Sequence, residues 1–495
     1  LEYLNESETY TLSFTNSIFC DQSGNSVGSE FIEYTVDDIN PPSFTSAVLG
    51  SGNRYVRINM SEEVYTESSG VGALTSDDLN LAIDYGNPNG ADQISIDYLS
   101  DINGGVLSGG EETVLVHLNI TGSTNGTERV MINAVSGEIF DGSGNAMSAN
   151  ETTMEFDLWA APVFSVNSIL NDDNSYVTLF FDNGPVFTNA ALNQPIQKQD
   201  FIVKLTRPGE NISQVQIEEV LNTNGDPLVA FNDATCQVTS GSPTVTHEEN
   251  ANIVEGLSVS GAGIPPGATI ESITNNTTFE LSDSATSGDG SGISLAFTSV
   301  VNSVRIYVDL DFIPDGSDTI RFYPQSLTAI YNQDGVNMDT SQHSEPFTLS
   351  DQLPPFYNLS IQDGALNIEN NDTIIVSFNE PVTMLGGEPL ESVVAKENFI
   401  IVDETDGIEL ETFETTVNLT RDTVSVILDP ENPYGSEHVI SLTIKKDFQD
   451  FSGNTVLEDS TIQFTVRDNV SPAFVPGSAV IDVEEIENAR GSSEE

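Results

Sequence analysis

Apolar and polar residues alternate along most of the chain, and helical periodicity is scarce. Val56-Arg-Ile58-Asn-Met60, Val114-Leu-Val116-His-Leu118, Val304-Arg-Ile306-Tyr-Val308, Ile374-Ile-Val376-Ser-Phe378 and Ile462-Gln-Phe464-Thr-Val466 follow this pattern. Runs of period two, bounded by Gly, Asn, Asp and Pro, predict half-buried β-strands with one face in a core. Strands this short and closely spaced predict an all-β chain built of β-sandwiches.

Two markers then divide the chain. A turn reads Asp21-Gln-Ser-Gly-Asn25, returns as Asp141-Gly-Ser-Gly-Asn145 and Asp450-Phe-Ser-Gly-Asn454, and survives in degraded form as Asn332-Gln-Asp-Gly-Val336. Proline linkers follow at Pro42, Pro162, Pro355 and Pro472. The turns are 120, 191 and 118 residues apart and the prolines 120, 193 and 117. Agreement between independent markers predicts a tandem array with one enlarged unit. The predicted boundaries are 1–38 (the tail of a preceding unit), 39–160, 161–352, 353–469, and 470–495 (the start of a further unit, or a tail). Both ends read as cut from something longer. The enlarged unit carries a β-rich insertion at about 229–300, with glycines and prolines at its turns. Two further marks align the units. A strand ends at Met60–Val64, Phe181–Val186 and Phe378–Val382, and a polar residue precedes an apolar run at Asp78, Asp200 and Asn398.

Charge narrows the partners. The chain has 77 acidic and 14 basic residues, for a net charge of −63. Such a surface repels phosphate backbones and anionic lipid, which excludes nucleic acid and membrane surfaces as expected partners. The acids are spread through strands and loops, as in a folded protein in a cation-rich medium. They serve solubility alone, or they also bind cations. No run of apolar residues is long enough to cross a bilayer as a helix, so no membrane insertion is expected in this segment. Cys20 and Cys236 fall in different units, so no internal disulfide is expected; each is a buried free thiol or a site of intermolecular pairing. His117, His247, His343 and His438 are isolated in sequence, and no nucleophile, zinc or nucleotide motif is present, so an enzyme is not expected. Eleven N-glycosylation sequons begin at Asn5, Asn59, Asn119, Asn125, Asn150, Asn211, Asn275, Asn276, Asn358, Asn371 and Asn418. Composition alone accounts for roughly eight, so glycan attachment and chance both stay open.

The topology of a seven-stranded sandwich suggests where acids would meet. The chain comes in at one pole, and the turns after the second and sixth strands return to that pole. Glu62 and Glu63 end a second strand, Asp141 to Asn145 lie after a sixth, and the linker carries Asp37, Asp38 and Asn40. Ca²⁺ takes six to eight oxygens at about 2.3–2.6 Å, and three converging segments would supply them. The matching set at the later junction is Asp351, Glu380, Asp450 and Asn454. The middle junction offers Asp182, Asn332 and Asp334 but no linker acid, and Trp159 is expected to pack between units there. Calcium is the one cofactor expected. The competing reading of each Asp-x-Ser-Gly-Asn segment is an ordinary turn, with Asp capping main-chain amides and Gly at positive φ.

The strand ends Met60–Val64 and Phe378–Val382, the strand start Asn398–Ile401 and the closing turns Asp141–Met147 and Asp450–Val456 resemble the Ig-like domains of large bacterial and marine microbial surface proteins. The middle unit departs from the pattern where Val336 replaces the turn Asn. The linkers Val36–Phe44 and Arg467–Phe474 resemble the calcium-binding linkers of cadherins; Asp351–Phe356 is thinner and Leu158–Pro162 has no acid. The stretch Val259–Ile270 resembles small β modules of marine bacterial surface proteins and phage fibres. The resemblance implies tandem Ig-like sandwiches in a rod, one carrying an inserted small β domain. It implies an extracellular setting, on a cell surface, a surface filament or a virion fibre. The function it implies is structural: part of a cation-stabilised rod, filament, sheath or S-layer-like assembly, with copies of itself or other surface proteins as partners. Its alternative is an adhesin stalk whose inserted module binds glycan or a partner. A more distant one is the accessory region of a secreted enzyme.

Overall fold

The computed structural model describes residues 9–14, 20–26, 30–87, 90–208, 215–265, 267–287, 289–369, 372–428 and 435–473. Its regular structure is β almost throughout, with one four-residue α-helix at Ser392–Ala395. Its contacts divide it into two compact units, Leu1–Phe312 with Asp318–Leu349, and Ile313–Ser317 with Ser350–Glu495.

The first unit begins with a two-stranded antiparallel ladder, Thr9–Phe14 on Glu30–Thr35, flanking the Asp21 turn. A seven-stranded sandwich follows. One sheet runs in the order Phe44–Leu49, Tyr55–Val64, Glu111–Thr121, Gln93–Ser100, and the other in the order Leu79–Asp84, Arg129–Ala134, Phe156–Asp157. This four-plus-three arrangement, with strands 1-2-5-4 facing 3-6-7, is the Ig-like topology. The alternation read from sequence is the cause. Val56, Ile58, Val114, Val116, Val130 and Ile132 all point inward and are fully buried. Each such side chain contributes about 1.5–3 kcal/mol on leaving water.

A second sandwich in the same unit repeats the plan. Val163–Phe164 and Ile169–Leu170 both pair with Tyr176–Asp182, which continues to Ser303–Leu310 and Val215–Leu221; the facing sheet is Phe201–Thr206, Thr319–Pro324, Phe347–Thr348. The insertion lies between its fourth and fifth strands. It is a six-stranded antiparallel sheet spanning Ala230 to Thr298, with a separate core that includes Cys236, Phe279 and Phe297. The two outer strands of the sheet meet through Ile270 N to Leu257 O and Val259 N to Ala268 O, both 2.9 Å, so the module closes on itself as a small barrel.

The second unit holds a third sandwich. Its sheets are Tyr357–Leu359, Thr373–Phe378, Thr423–Leu428, Phe413–Val417, facing Ala365–Ile368, Ser460–Val466, Val439–Ile444, Phe399–Asp403, Ile408–Glu409. Ala365–Ile368 pairs with the last strand in parallel; every other pairing is antiparallel. In all three sandwiches the polar residue before the third strand ends a one-turn 3-10 helix and is buried: Asp78, Asp200 and Asn398. Asp78 and Asp200 accept the main-chain N–H of Thr75 at 2.7 Å and of Gln197 at 2.6 Å. The sequence mark is therefore a cap, placed where the chain turns into the core.

Candidate metal centre

Asp141 lies after the sixth strand of the first sandwich and is fully buried. Its Oδ1 accepts the amides of Ser143 at 2.9 Å and Asn145 at 2.8 Å, and its Oδ2 accepts Asn145 Nδ2 at 2.7 Å. Gly144 supplies φ +90, which a side chain would disfavour. Asp450 repeats this geometry with Ser452 N and Asn454 N, both at 2.8 Å, and Asn454 Nδ2 at 2.7 Å. Asp21 does the same with Ser23 and Asn25. Each copy is thus a capped turn. Two more copies escaped the sequence reading: Asp101 caps Asn103 and Gly105, and Asn222 caps Asn224 and Asp226. Their signal is an Asp or Asn three residues before a glycine.

Capping does not exhaust two of these carboxylates. Oxygens of Asp38, Glu62 and Asp141 lie within 4.8 Å of one another, and so do those of Asp351, Glu380 and Asp450. The sets correspond member by member: a half-buried linker acid, a half-buried acid ending the second strand, and a buried turn acid. In each, the turn asparagine also grips the linker: Asn145 Nδ2 donates to Asp38 O at 3.0 Å, and Asn454 Nδ2 to Asp351 O at 3.1 Å. Glu62 is pushed above the usual carboxylate range by burial and then by the charges of Asp141 and Asp38. Burial likewise raises Glu380, with Asp351, Asp450 and Asp315 adding to it, and raises Asp351, with Asp450 and Asp315 adding. At this spacing, and an effective dielectric constant of about 20, each ionised pair repels by about 3 kcal/mol. Oxygens bound to one Ca²⁺ stand no more than about twice 2.4 Å apart, so both clusters are compact enough to share an ion.

The remaining expected ligands stand outside the clusters. Asp37 and Asn40 are exposed. Glu63 is exposed and accepts the Tyr65 hydroxyl at 2.8 Å. Asp315, which the sequence did not suggest, raises Asp351 and Glu380 through its charge.

The middle junction is built differently. Asn332 takes the capping position: its Oδ1 accepts Asp334 N at 3.1 Å and Val336 N at 2.9 Å, while its Nδ2 donates to Ala160 O at 2.8 Å. One amide thus performs the cap and the linker grip that an Asp and an Asn share elsewhere. Asp182 is exposed, Asp334 is half-buried and raised by that burial, and no three-carboxylate group forms here among the described residues. The Asp334 carbonyl accepts Gly52 N at 2.7 Å and Ser51 Oγ at 2.9 Å. Trp159 is half-buried and is not among the side chains packed on either neighbouring core. Its main chain is held instead: Asn53 Nδ2 donates to Trp159 O at 2.8 Å and Asn53 Oδ1 accepts Trp159 N at 3.0 Å. Asn53 is buried at φ +58. Asn53→Ala should therefore cost about 2–4 kcal/mol through the unmet Trp159 N–H and a strained φ, the Trp159 carbonyl keeping the Thr124 hydroxyl at 2.7 Å. Melting curves should show the same loss in calcium and in chelator.

A third cluster joins Asp403, Asp406 and His438. His438 and Asp403 are 35 residues apart, so no local motif announces them. The cluster is closed by its own bonds: Asp403 accepts Thr405 N at 3.0 Å, Asp406 N at 3.3 Å and His438 Nδ1 at 2.8 Å. The bond to Asp403 raises His438 above its ordinary 6.5. A raised folded-state value stabilises fully below about 6.5 and is lost as pH climbs through the raised value. The melting temperature of the third sandwich should fall as pH rises above about 6.5, and His438→Gln should flatten that slope.

Of the sequon asparagines, Asn119, Asn150, Asn275, Asn276, Asn358 and Asn418 are exposed. Asn59 is half-buried between Ser46 and Thr113, and Asn125 is half-buried and bonded to Thr127. Asn5, Asn211 and Asn371 lie outside the described residues. Both cysteines are free, Cys20 exposed and Cys236 buried. Burial, then the charge of Asp233, pushes the Cys236 thiol up to about 12, so it stays protonated.

The chain is an all-β protein of Ig-like sandwiches, and residues 351–466 match the family of bacterial Ig-like domains. That span contains all three acids of the second cluster. Two structures of the S-layer protein SbsC, a crystal structure of residues 31–844 and one of domains 1–6, are similar at 13% and 11% identity, with TM-scores of 0.16 and 0.17. Each match covers 88% of this chain and 55% of the other, so the chain spans about half the length of these structures. At such scores the chains do not superpose as wholes. No curated protein sequence matches the chain. No helix among the described residues is long and apolar enough to cross a membrane.

Proposed function

We propose that this chain is a stretch of an extracellular, cell-surface structural assembly of the rod, filament, sheath or S-layer kind, and that two of its domain poles bind calcium. One observation carries the reading: the same three acids, drawn from linker, second strand and sixth-strand turn, converge at Asp38–Glu62–Asp141 and again at Asp351–Glu380–Asp450. Repelling carboxylates held this close gain most from a divalent cation between them. Such a cation would bridge linker and sandwich and stiffen the joint, while the middle junction is fastened by amides and needs none. In calcium, small-angle scattering should report a narrower spread of end-to-end distances than in chelator at equal ionic strength. Calorimetric titration should find two sites; no heat and no change in scattering would leave the acids as surface charge.

A second reading is favoured by the closed barrel at Ala230 to Thr298, which has its own core. Such a module suits an adhesin that presents it to a glycan or a partner. Glycan-array binding by the excised module would establish that role.

A further inference from the structure

On the three-stranded sheet of the second sandwich, Phe201, Val203 and Leu205 face the core with Ile320, Phe322 and Phe347. The alternate positions face outward, in the register Ile202 with Tyr323, Lys204 with Arg321, and Thr206 with Thr319, which in turn pairs with Thr348. None of these outward residues is acidic, in a chain with 77 acids and 14 bases. Lys204 and Arg321 stand directly opposite each other, a destabilising arrangement for like charges. Lys204 Nζ lies 4.2 Å from the Tyr323 ring centroid, and His343 lies beside Tyr323 at 5.5 Å between centroids. Among the described ion pairs, none includes Lys204 or Arg321.

The same strand positions are apolar in the first sandwich, where Ala82 pairs with Met131. Two residues along, the one cation of that sheet is matched: Arg129 sits between Asp84 and Asp157 and binds Asp157 at 2.7 Å. The third sandwich is neutral there, with Val402, Ser441 and Gln463. The second sandwich alone sets two cations face to face with an aromatic ring alongside.

We infer that the Lys204–Arg321–Tyr323 face of the second sandwich is a docking surface for carboxylates of a second copy of this chain. The inference rests on the assembly reading above and gives it a contact. Charge complementarity selects the occupant, because the anion this chain presents everywhere else is its own carboxylate. Copies at net −63 repel at long range, but at about 0.15 M salt screening confines that repulsion to roughly 8 Å, within which local complementarity decides where two copies touch.

The test mixes ¹⁵N-labelled and unlabelled full chain in calcium buffer, cross-links with a zero-length carbodiimide, and reads mixed-isotope peptides by mass spectrometry. Lys204 should join a carboxylate of the other copy. Lys204→Gln with Arg321→Gln should weaken self-association about tenfold in sedimentation equilibrium. The same variant should melt no lower than the parent, because it also removes a like-charge contact; a merely structural pair would give the opposite shift. Association unchanged in the double variant would overturn the docking surface and spare the assembly reading. Absence of association at every concentration would overturn both. Retention of the monomer on polygalacturonate, lost in the double variant and without self-association, would assign the face to an acidic glycan and overturn the inference.

Discussion

Asp141→Asn combined with Asp450→Asn should abolish the stabilisation that calcium gives while leaving stability in chelator unchanged or somewhat lower. The middle junction supplies the reasoning. Asn332 shows that an amide at this position still caps the turn through Oδ1. The substitution therefore keeps the Oδ1 cap and removes charge, relieving repulsion on Glu62 and Glu380, both raised by their acidic neighbours. It also sets its Nδ2 against the Nδ2 of Asn145 or Asn454, which donated to the lost Oδ2, and that donor–donor contact opposes the relief. Extracellular calcium modules bind at about 10⁻⁴–10⁻³ M. At ten to a hundred times that concentration, each site adds about 1.4–2.7 kcal/mol to the folded state, or several degrees in melting temperature. Asp141→Ala is the contrasting case. It strips two main-chain amides of their acceptor at a buried site, at about 1–3 kcal/mol each, whether or not calcium is present. If the asparagine pair keeps its full calcium gain at constant ionic strength, the clusters are not the binding sites.

Phe279→Ala should unfold the inserted module and spare its host. Phe279 is fully buried, edge-on to Phe297 at 5.8 Å and beside His247 at 5.5 Å. Truncating such a ring costs about 3–5 kcal/mol, enough to threaten a domain of about seventy residues. The loss should stay local because the module's core is separate from that of the second sandwich. The chain also leaves and re-enters the host at residues bonded to each other: Val229 N to Ser299 Oγ and Ser299 N to Val229 O, both 2.9 Å. Hydrogen exchange should show lost protection in the strands of the module and unchanged protection in Ser303–Leu310. Loss of protection in both would mean that they fold as one.

Most of the architecture was legible because period-two alternation and a repeated turn carry it directly. The cluster acids were legible through topology, since the poles of a sandwich follow from counting strands. What misled was parity. Glu62 and Glu63 are neighbours on a strand and so point to opposite faces. Met60 and Val64 face the core, which sends Glu62 toward the turn and Glu63 to solvent. Glu380 shares that phase with Phe378 and Val382, so the rule was available in the sequence. The bonds that hold Trp159 were illegible for another reason: they join its main chain to the side chain of Asn53, 106 residues away in the same sandwich. A side chain's distant partner leaves no periodic trace, and neither does the Asp403–His438 pair.

The paired ends of the insertion have a mechanical meaning. Tension along the second sandwich enters near its first strand and leaves near its last, and strands four and five lie between them in sequence. The bonded ends at Val229 and Ser299 hold those two strands together at the point where the module hangs. Under such a pull the host sheet would have to come apart before the load reached the barrel. In the assembly proposed above, the module would be a passenger sheltered from strain, and whatever surface it carries would keep its shape while its neighbours bore the force.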